Sequence, residues 1–550
     1  MKRIYLLIMS IVFSISGVLA QSAQVQKAAK SVFTLTTFNK DGSIHASSHG
    51  VFVGKDGEAI STWEPFIGAD HAIVVDANGK TYNVDAIVGA NELYDVCKFI
   101  VDGSTIKADV ASTQANGNVF LLNYSLKKAD VKTFNITSVE KFMDKYNYYI
   151  FSSTAPENAA SCPFVNNNGQ VIGLLQLSKN GEIHATDAKF ASDMVVNGFT
   201  INDAVLKTCG IRTALPDNEN AALLTMMMAS EQTDSISRQK YIDDFIRKFP
   251  SSTEGYTNKA SSYVNSGKFE EADKVMQTAI EKVAKKDEGH SEYAKVIYQK
   301  ELFSNKPYTN WSLDKALDES KKASAINDLD VYRHQQAQII YSKGEYQNAY
   351  DMFMALTKTK LRNGELFYEA SQCKVQLKAP QKEVMELLDS AIAACPQPLT
   401  SIAAPYVLSR GIAYNEAKDY HNALVDYNEY DSLMLGRPLN SSFYYTRYKC
   451  ELQVHRFQQA LNDIARSIIL TPNEPTYYAE MASLQIRVKK NEDAVKAATR
   501  CTILAPEYID GYLLLGIANK ELGNKDEAKK ALEKAKSLGD KRADEYLKKL

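Results

Sequence analysis

Three alanines near the C-terminus, Ala460, Ala494 and Ala528, recur at intervals of 34 residues, and so do Pro472 and Pro506. A fixed recurrence constrains the fold more tightly than composition, because one supersecondary unit must be copied along the chain. Two helices of about a dozen residues, a tight turn and a connector fill such a unit. Each alanine opens a second helix. Each proline follows a helix end, where its missing N–H is not needed.

The last unit shows the pattern in full: Tyr512, Leu515, Gly516, Asn519, Gly523, Ala528, Leu532 and Ala535. Gly516 and Ala528 are small where two helices are expected to cross closely, and the larger residues fill the space beside that crossing. The frame runs backwards through Tyr478, Ala482 and Cys501, through Tyr444, Tyr448 and Ile464, through Gly411, Tyr414 and Ala423, and through Ala337, Gly344 and Phe353 to Tyr256 and Ala260. Looser units fall near 370–396 and 294–328, the latter with an insertion around Pro307. This predicts an all-α solenoid over 220–550, of about nine units plus a polar capping helix at 541–550.

The pattern resembles the tetratricopeptide repeat. That resemblance implies partner proteins or peptides bound along the concave face of the first helices. In this frame Tyr445, Lys449 and Leu452, then Ala479, Ser483 and Ile486, then Leu513, Ile517 and Lys520 line it. The lining is mixed and modestly apolar, with no Lys and Asn cluster to mark a carboxylate groove. Many of the 31 tyrosines occupy packing positions of the frame and read as core.

Lys and Arg number 64 against 66 Asp and Glu, a net charge of −2 that offers no electrostatic footprint for nucleic acid or an anionic membrane. The opening Lys2-Arg3 pair, the apolar stretch after it and Val18-Leu19-Ala20 before Gln21 have the layout of a signal peptide over 1–20, so a periplasmic or secreted protein is expected. An uncleaved anchor helix is the alternative. No later apolar run has spanning length. The seven cysteines show no CxxC and no metal-ligand spacing, so buried thiols are preferred to a disulfide framework, and no cofactor or metal site is expected.

Upstream, residues 31–209 change period. Short alternating segments at 32–35, 50–53, 72–75, 99–101, 119–122 and 171–175 are separated by turns such as Asp41-Gly42, Asp56-Gly57, Asn78-Gly79 and Asn168-Gly169. Three stretches carry a resemblance to chymotrypsin-like serine proteases of the exported high-temperature-requirement type: Gly50 to Phe66, Tyr94-Asp95-Val96, and Asn158 to Gly173. The resemblance implies an all-β double barrel and a His–Asp–Ser relay. Aligned without gaps, however, Glu64 stands at the histidine position and Ala160 at the nucleophile, and only Asp95 matches. The relay needs an imidazole to take a hydroxyl proton and a carboxylate to orient it. The expectation is therefore a pseudoprotease with a degenerate triad, in which Asp95 accepts backbone hydrogen bonds.

The alternative is an active endopeptidase that recruits substrate through its repeats. It requires Ser161 or Cys162 as nucleophile with His45, His49 or His71 as base. A purely structural role in an envelope assembly is a third reading. A polar join at 210–219, containing Pro216, is expected to link the two domains.

Overall fold

The computed structural model describes residues 22–550, apart from 112–116, 127–128, 179–180 and 233; the expected signal peptide at 1–20 lies outside the described residues. The chain divides at Lys285 into two compact units.

The first unit begins with six antiparallel strands closed into a barrel: β1 (Val32–Phe38), β2 (Ile44–Phe52), β3 (Glu58–Ser61), β4 (His71–Asp76), β5 (Thr81–Asn91) and β6 (Val96–Val101), in the order β1-β2-β3-β6-β5-β4. Aromatic side chains fill its interior, with Phe33, Phe52, Trp63, Phe66 and Phe99 all buried. Gly50 is required by this packing: a Cβ there would lie 2.5 Å from the Phe33 ring and 2.6 Å from the Ile60 carbonyl oxygen.

Seven strands form the second sheet: β7 (Gly117–Asn123), β8 (Asp130–Ile136), β9 (Ser138–Phe142), β10 (Tyr146–Thr154), β11 (Pro163–Val165), β12 (Val171–Leu177) and β13 (Glu182–Asp187), ordered β8-β7-β11-β12-β13-β10-β9. It curls until the end of β8 meets β10, where Thr137 N–H donates to the Ile150 carbonyl at 2.9 Å and Phe134 packs edge-on to Phe151. A third apolar cluster joins the sheets, with Val32, Val51, Ile60 and Val96 from one meeting Leu122, Val165, Val171 and Leu174 from the other. Two barrel-like antiparallel sheets packed this way make a chymotrypsin-like β domain.

Of residues 210–219, expected as a linker, 210–216 pack against this domain, and 217–219 are exposed. Ile87 N–H donates to the Arg212 carbonyl and Ala214 N–H to the Ile87 carbonyl, both at 2.8 Å, and Ile211, Thr213, Ala214 and Leu215 are buried. Arg212 ends between two carboxylates, Asp85 on β5 and Asp244 on the helix Ser235–Lys248.

Nine helical pairs follow among the described residues, from Glu219–Gln232 with Ser235–Lys248 to Ile509–Glu521 with Lys525–Ser537; a short helix, Arg542–Leu547, closes the series. The insertion near Pro307 is a loop between the helices Lys286–Phe303 and Leu313–Ile326. The crossing expected at Gly516 is present: a Cβ there would lie 2.5 Å from Leu532 Cγ. In seven pairs the turn between helices contains a residue with positive φ. It is glycine at 267, 344 and 523 but Lys378, Lys418, His455 and Lys489 in the others.

Within two successive units an arginine of the first helix grips an aspartate of the second with two hydrogen bonds. Arg410 bonds Asp426 at 2.7 and 2.9 Å, and Arg447 bonds Asp463 at 2.6 and 2.9 Å. Both aspartates and Arg447 are buried, so these clamps hold each hairpin together where water competes little. No described helix is long and apolar enough to cross a membrane.

Candidate functional site

A cleft of about 390 Å³ opens at the seam of the β domain, lined from the first sheet by His45, Ser48, Thr62, Glu64 and Asp95, and from the second by Ala160, Ser161 and Gln176. Glu64, Asp95 and Ala160 thus line one cavity. Each has a local cause. Glu64 follows β3 in a tight turn, and Asp95 sits in the β5–β6 turn with φ of 42°. Ala160 is exposed on the loop before β11, next to Ser161, whose own φ is 64°.

The Asp95 carboxylate accepts hydrogen bonds from the backbone N–H groups of Trp63 and Glu64, both at 2.8 Å. Burial is the main cause raising its pKa, the two N–H groups oppose that rise, and the nearby Glu64 carboxylate adds to it. Asp95 therefore orients no imidazole. It fastens the Glu64 turn to the strand that carries it. Gln176 secures the β5–β6 turn that holds Asp95, donating to the Tyr94 and Asp95 carbonyls at 2.6 and 3.0 Å.

Ser161 is buried, and its hydroxyl lies 2.6 Å from both the Ser48 and Thr62 hydroxyls. A three-hydroxyl cluster contains no base, so nothing in it takes up the proton that a nucleophilic serine must lose. Cys162 points into the core of the second sheet, where burial pushes its thiol up to about 12, far from the thiolate that reacts.

The three histidines named as alternative bases are engaged elsewhere. His49 Nδ1 meets the Ala160 carbonyl at 3.2 Å, and burial holds its pKa below the usual value. His45 bridges Asn39 and the Ile67 carbonyl, at 3.0 and 2.9 Å. His71 stacks on Phe38 and contacts Asp70. None is hydrogen-bonded to the Ser161 hydroxyl. All seven cysteines are buried and free of disulfides. Among the described residues no group of three or more His, Cys, Asp or Glu is placed to hold a metal.

In the helical region the nine residues expected to line a binding face divide. Tyr445, Lys449, Leu452, Ser483, Ile486, Ile517 and Lys520 reach solvent at least in part. Ala479 and Leu513 are buried instead; Leu513 packs on Leu532, Ala535 and Ala543 inside the last hairpin, and neither presents a side chain to a partner. Tyr445 donates to Glu480 at 3.2 Å, and Lys449 lies over its ring at 4.7 Å. The sequence frame did not anticipate the Arg–Asp clamps, although Arg410 with Asp426 and Arg447 with Asp463 repeat one 16-residue spacing.

The tetratricopeptide repeat family matches residues 253–281 and 509–538, two of the helical pairs just described. Among solved structures the chain is similar to an HtrA-type protease, AlgW, with a tripeptide, at 16% identity and a TM-score of 0.28. That match covers 32% of this chain and 62% of the other, so the chain spans less than two thirds of that protein. No curated protein matches the sequence. By its own topology and repeats, the chain is a protease-like β domain followed by tetratricopeptide repeats. Repeats of this kind imply protein partners.

Proposed function

We propose that this protein is an exported scaffold that binds partner proteins or peptides through its repeats, with a β domain that keeps the protease cleft without protease chemistry. The observation that carries this reading is the content of the cleft. The cleft holds the Glu64 carboxylate and the Ala160 methyl group, which the gapless alignment sets at the imidazole and hydroxyl positions of a relay, and the adjacent Ser161 hydroxyl is bound to two other hydroxyls. Removing triad members costs several orders of magnitude in rate, and no other group here supplies the lost proton transfer. Export rests on the signal-like segment at 1–20, and binding on the solvent-facing members of the first-helix face. A cleft of this kind is suited to holding an extended peptide, since pairing with its backbone needs no relay.

Quenched casein incubated with the full-length protein tests the reading. The proposal expects fluorescence indistinguishable from buffer over hours, in wild type and in Ser161→Ala alike. Release by wild type that disappears in Ser161→Ala overturns it and makes the protein an endopeptidase.

A further inference from the structure

A second cavity, of about 220 Å³, lies among three successive helical pairs of the second unit. Its walls are Tyr298 from the helix Lys286–Phe303, Gln338 and Tyr341 from Asp330–Ser342, and Glu369 and Gln372 from Gly364–Gln376. All three are first helices of their pairs. Phe353, 1% exposed on the second helix Tyr346–Leu356, forms the floor. Three aromatic rings, one carboxylate and two amides therefore surround a space the size of one long side chain, and no Lys or Arg is among them.

The carboxylate is held in place. Glu369 Oε1 accepts from Gln338 at 2.7 Å, and Oε2 meets His334 Nε2 at 2.5 Å. Each carboxylate oxygen has two lone-pair sites, so one remains on each after these contacts. Glu365 stands one helical turn before Glu369 on the same helix, so a second acidic group lies near the cavity. Tyr298 is fixed by its hydroxyl, which bonds Ser342 at 2.8 Å and the Gln338 carbonyl at 3.4 Å, leaving its ring as a wall. Ring faces carry negative quadrupole potential and attract cations, most strongly where water is displaced and an anion stands nearby.

We propose that this cavity binds the side chain of a lysine or arginine in a partner peptide, with the cationic head at Glu369 and the methylene stem against Tyr298, Tyr341 and Phe353. The inference rests on the reading that the repeats bind partners, and it locates one anchor within them. A purely apolar anchor is the competing occupant. It fits the rings but makes no use of the lone pairs that remain on the Glu369 oxygens.

The test uses full-length protein and acetylated, amidated pentapeptides with a Gly-Ser-Xaa-Ser-Gly backbone, read by saturation-transfer NMR and titration. Xaa is arginine, its neutral isostere citrulline, or norleucine. Arginine is expected to bind about tenfold more tightly than either neutral peptide, the scale of one well-placed cation contact. Glu369→Gln should remove that preference, and Gln372→Lys, which puts a cation at the cavity, should abolish arginine binding with helical content unchanged by circular dichroism. Norleucine binding as tightly as arginine, equal affinity for arginine and citrulline, no effect of either substitution, or no binding at millimolar peptide would each overturn the proposal. These failures leave the scaffold reading standing, because that reading is tested separately, by hydrolysis and labelling at the β-domain cleft.

Discussion

The Asp95 carboxylate meets two backbone N–H groups and no imidazole. Its two backbone hydrogen bonds hold the turn carrying Glu64, so its removal should be felt as stability. Asp95→Ala is expected to cost about 2–3 kcal/mol, since two N–H groups lose a charged acceptor, while Asp95→Asn keeps an acceptor and costs less. Chemical denaturation of the two variants measures this. Glu451 makes a pH-dependent prediction. Burial, then repulsion from Asp463, raises its pKa from the usual 4.5 to about 8. The folded state thus holds a proton that the unfolded state releases, so stability falls as pH rises from about 4.5 to about 8 and levels off above. Glu451→Gln should flatten that slope in melts across the range; an unchanged slope would show that other groups carry it.

At the scale of the element, the hairpin of two helices is the unit that folds, and its two fasteners can be tested separately. Removing Asp463 takes two hydrogen bonds from the buried Arg447 guanidinium, which keeps Asp431 at 2.9 Å, so Asp463→Ala should destabilise by about 2–3 kcal/mol. The turn moves the other way. His455 and Lys418 sit at φ of 60° and 63°, a region that a side chain disfavours by about 1 kcal/mol and glycine does not. Their replacement by glycine, as Gly523 already shows in the last pair, should raise the melting temperature by a few degrees.

The sequence made these hairpins legible because their spacing carries the signal: Gly516 against Leu532 is readable as a small residue facing a large one. The clamps were less visible, since an Arg and an Asp in two helices look like surface charge until the helices are packed. In the β domain the apolar strands β1, β4, β6, β7 and β12 and the end of β2 were readable. Strand β8 was missed because its side chains are mostly exposed, and β10 because its tyrosines resemble no simple alternation. The cleft was located by alignment with Glu64, Asp95 and Ala160. The hydroxyl cluster at Ser161 was not, because Ser48, Thr62 and Ser161 come from three distant segments.

The molecule as a whole consists of two compact units, and in the first of them a buried arginine ties the β domain to the helices that follow. Arg212 reaches Asp85 and Asp244 and lies over the Tyr241 ring at 5.3 Å. Arg212→Ala should leave Asp85 only its longer contact to Lys240, at 3.6 Å, and Asp244 only its exposed partner Arg247, and so lower the melting transition of the first unit with the second unit's transition unmoved; calorimetry of the full chain separates the two. The central proposal is that this cleft carries no protease chemistry. Intact-mass measurement of the wild-type protein after exposure to a serine-directed fluorophosphonate tests it most directly, because labelling reports a proton-relay-activated hydroxyl whatever the substrate. The account predicts an unshifted mass. An adduct mapped to Ser161 would contradict it, and would mean that the cleft rearranges to bring a base to that hydroxyl.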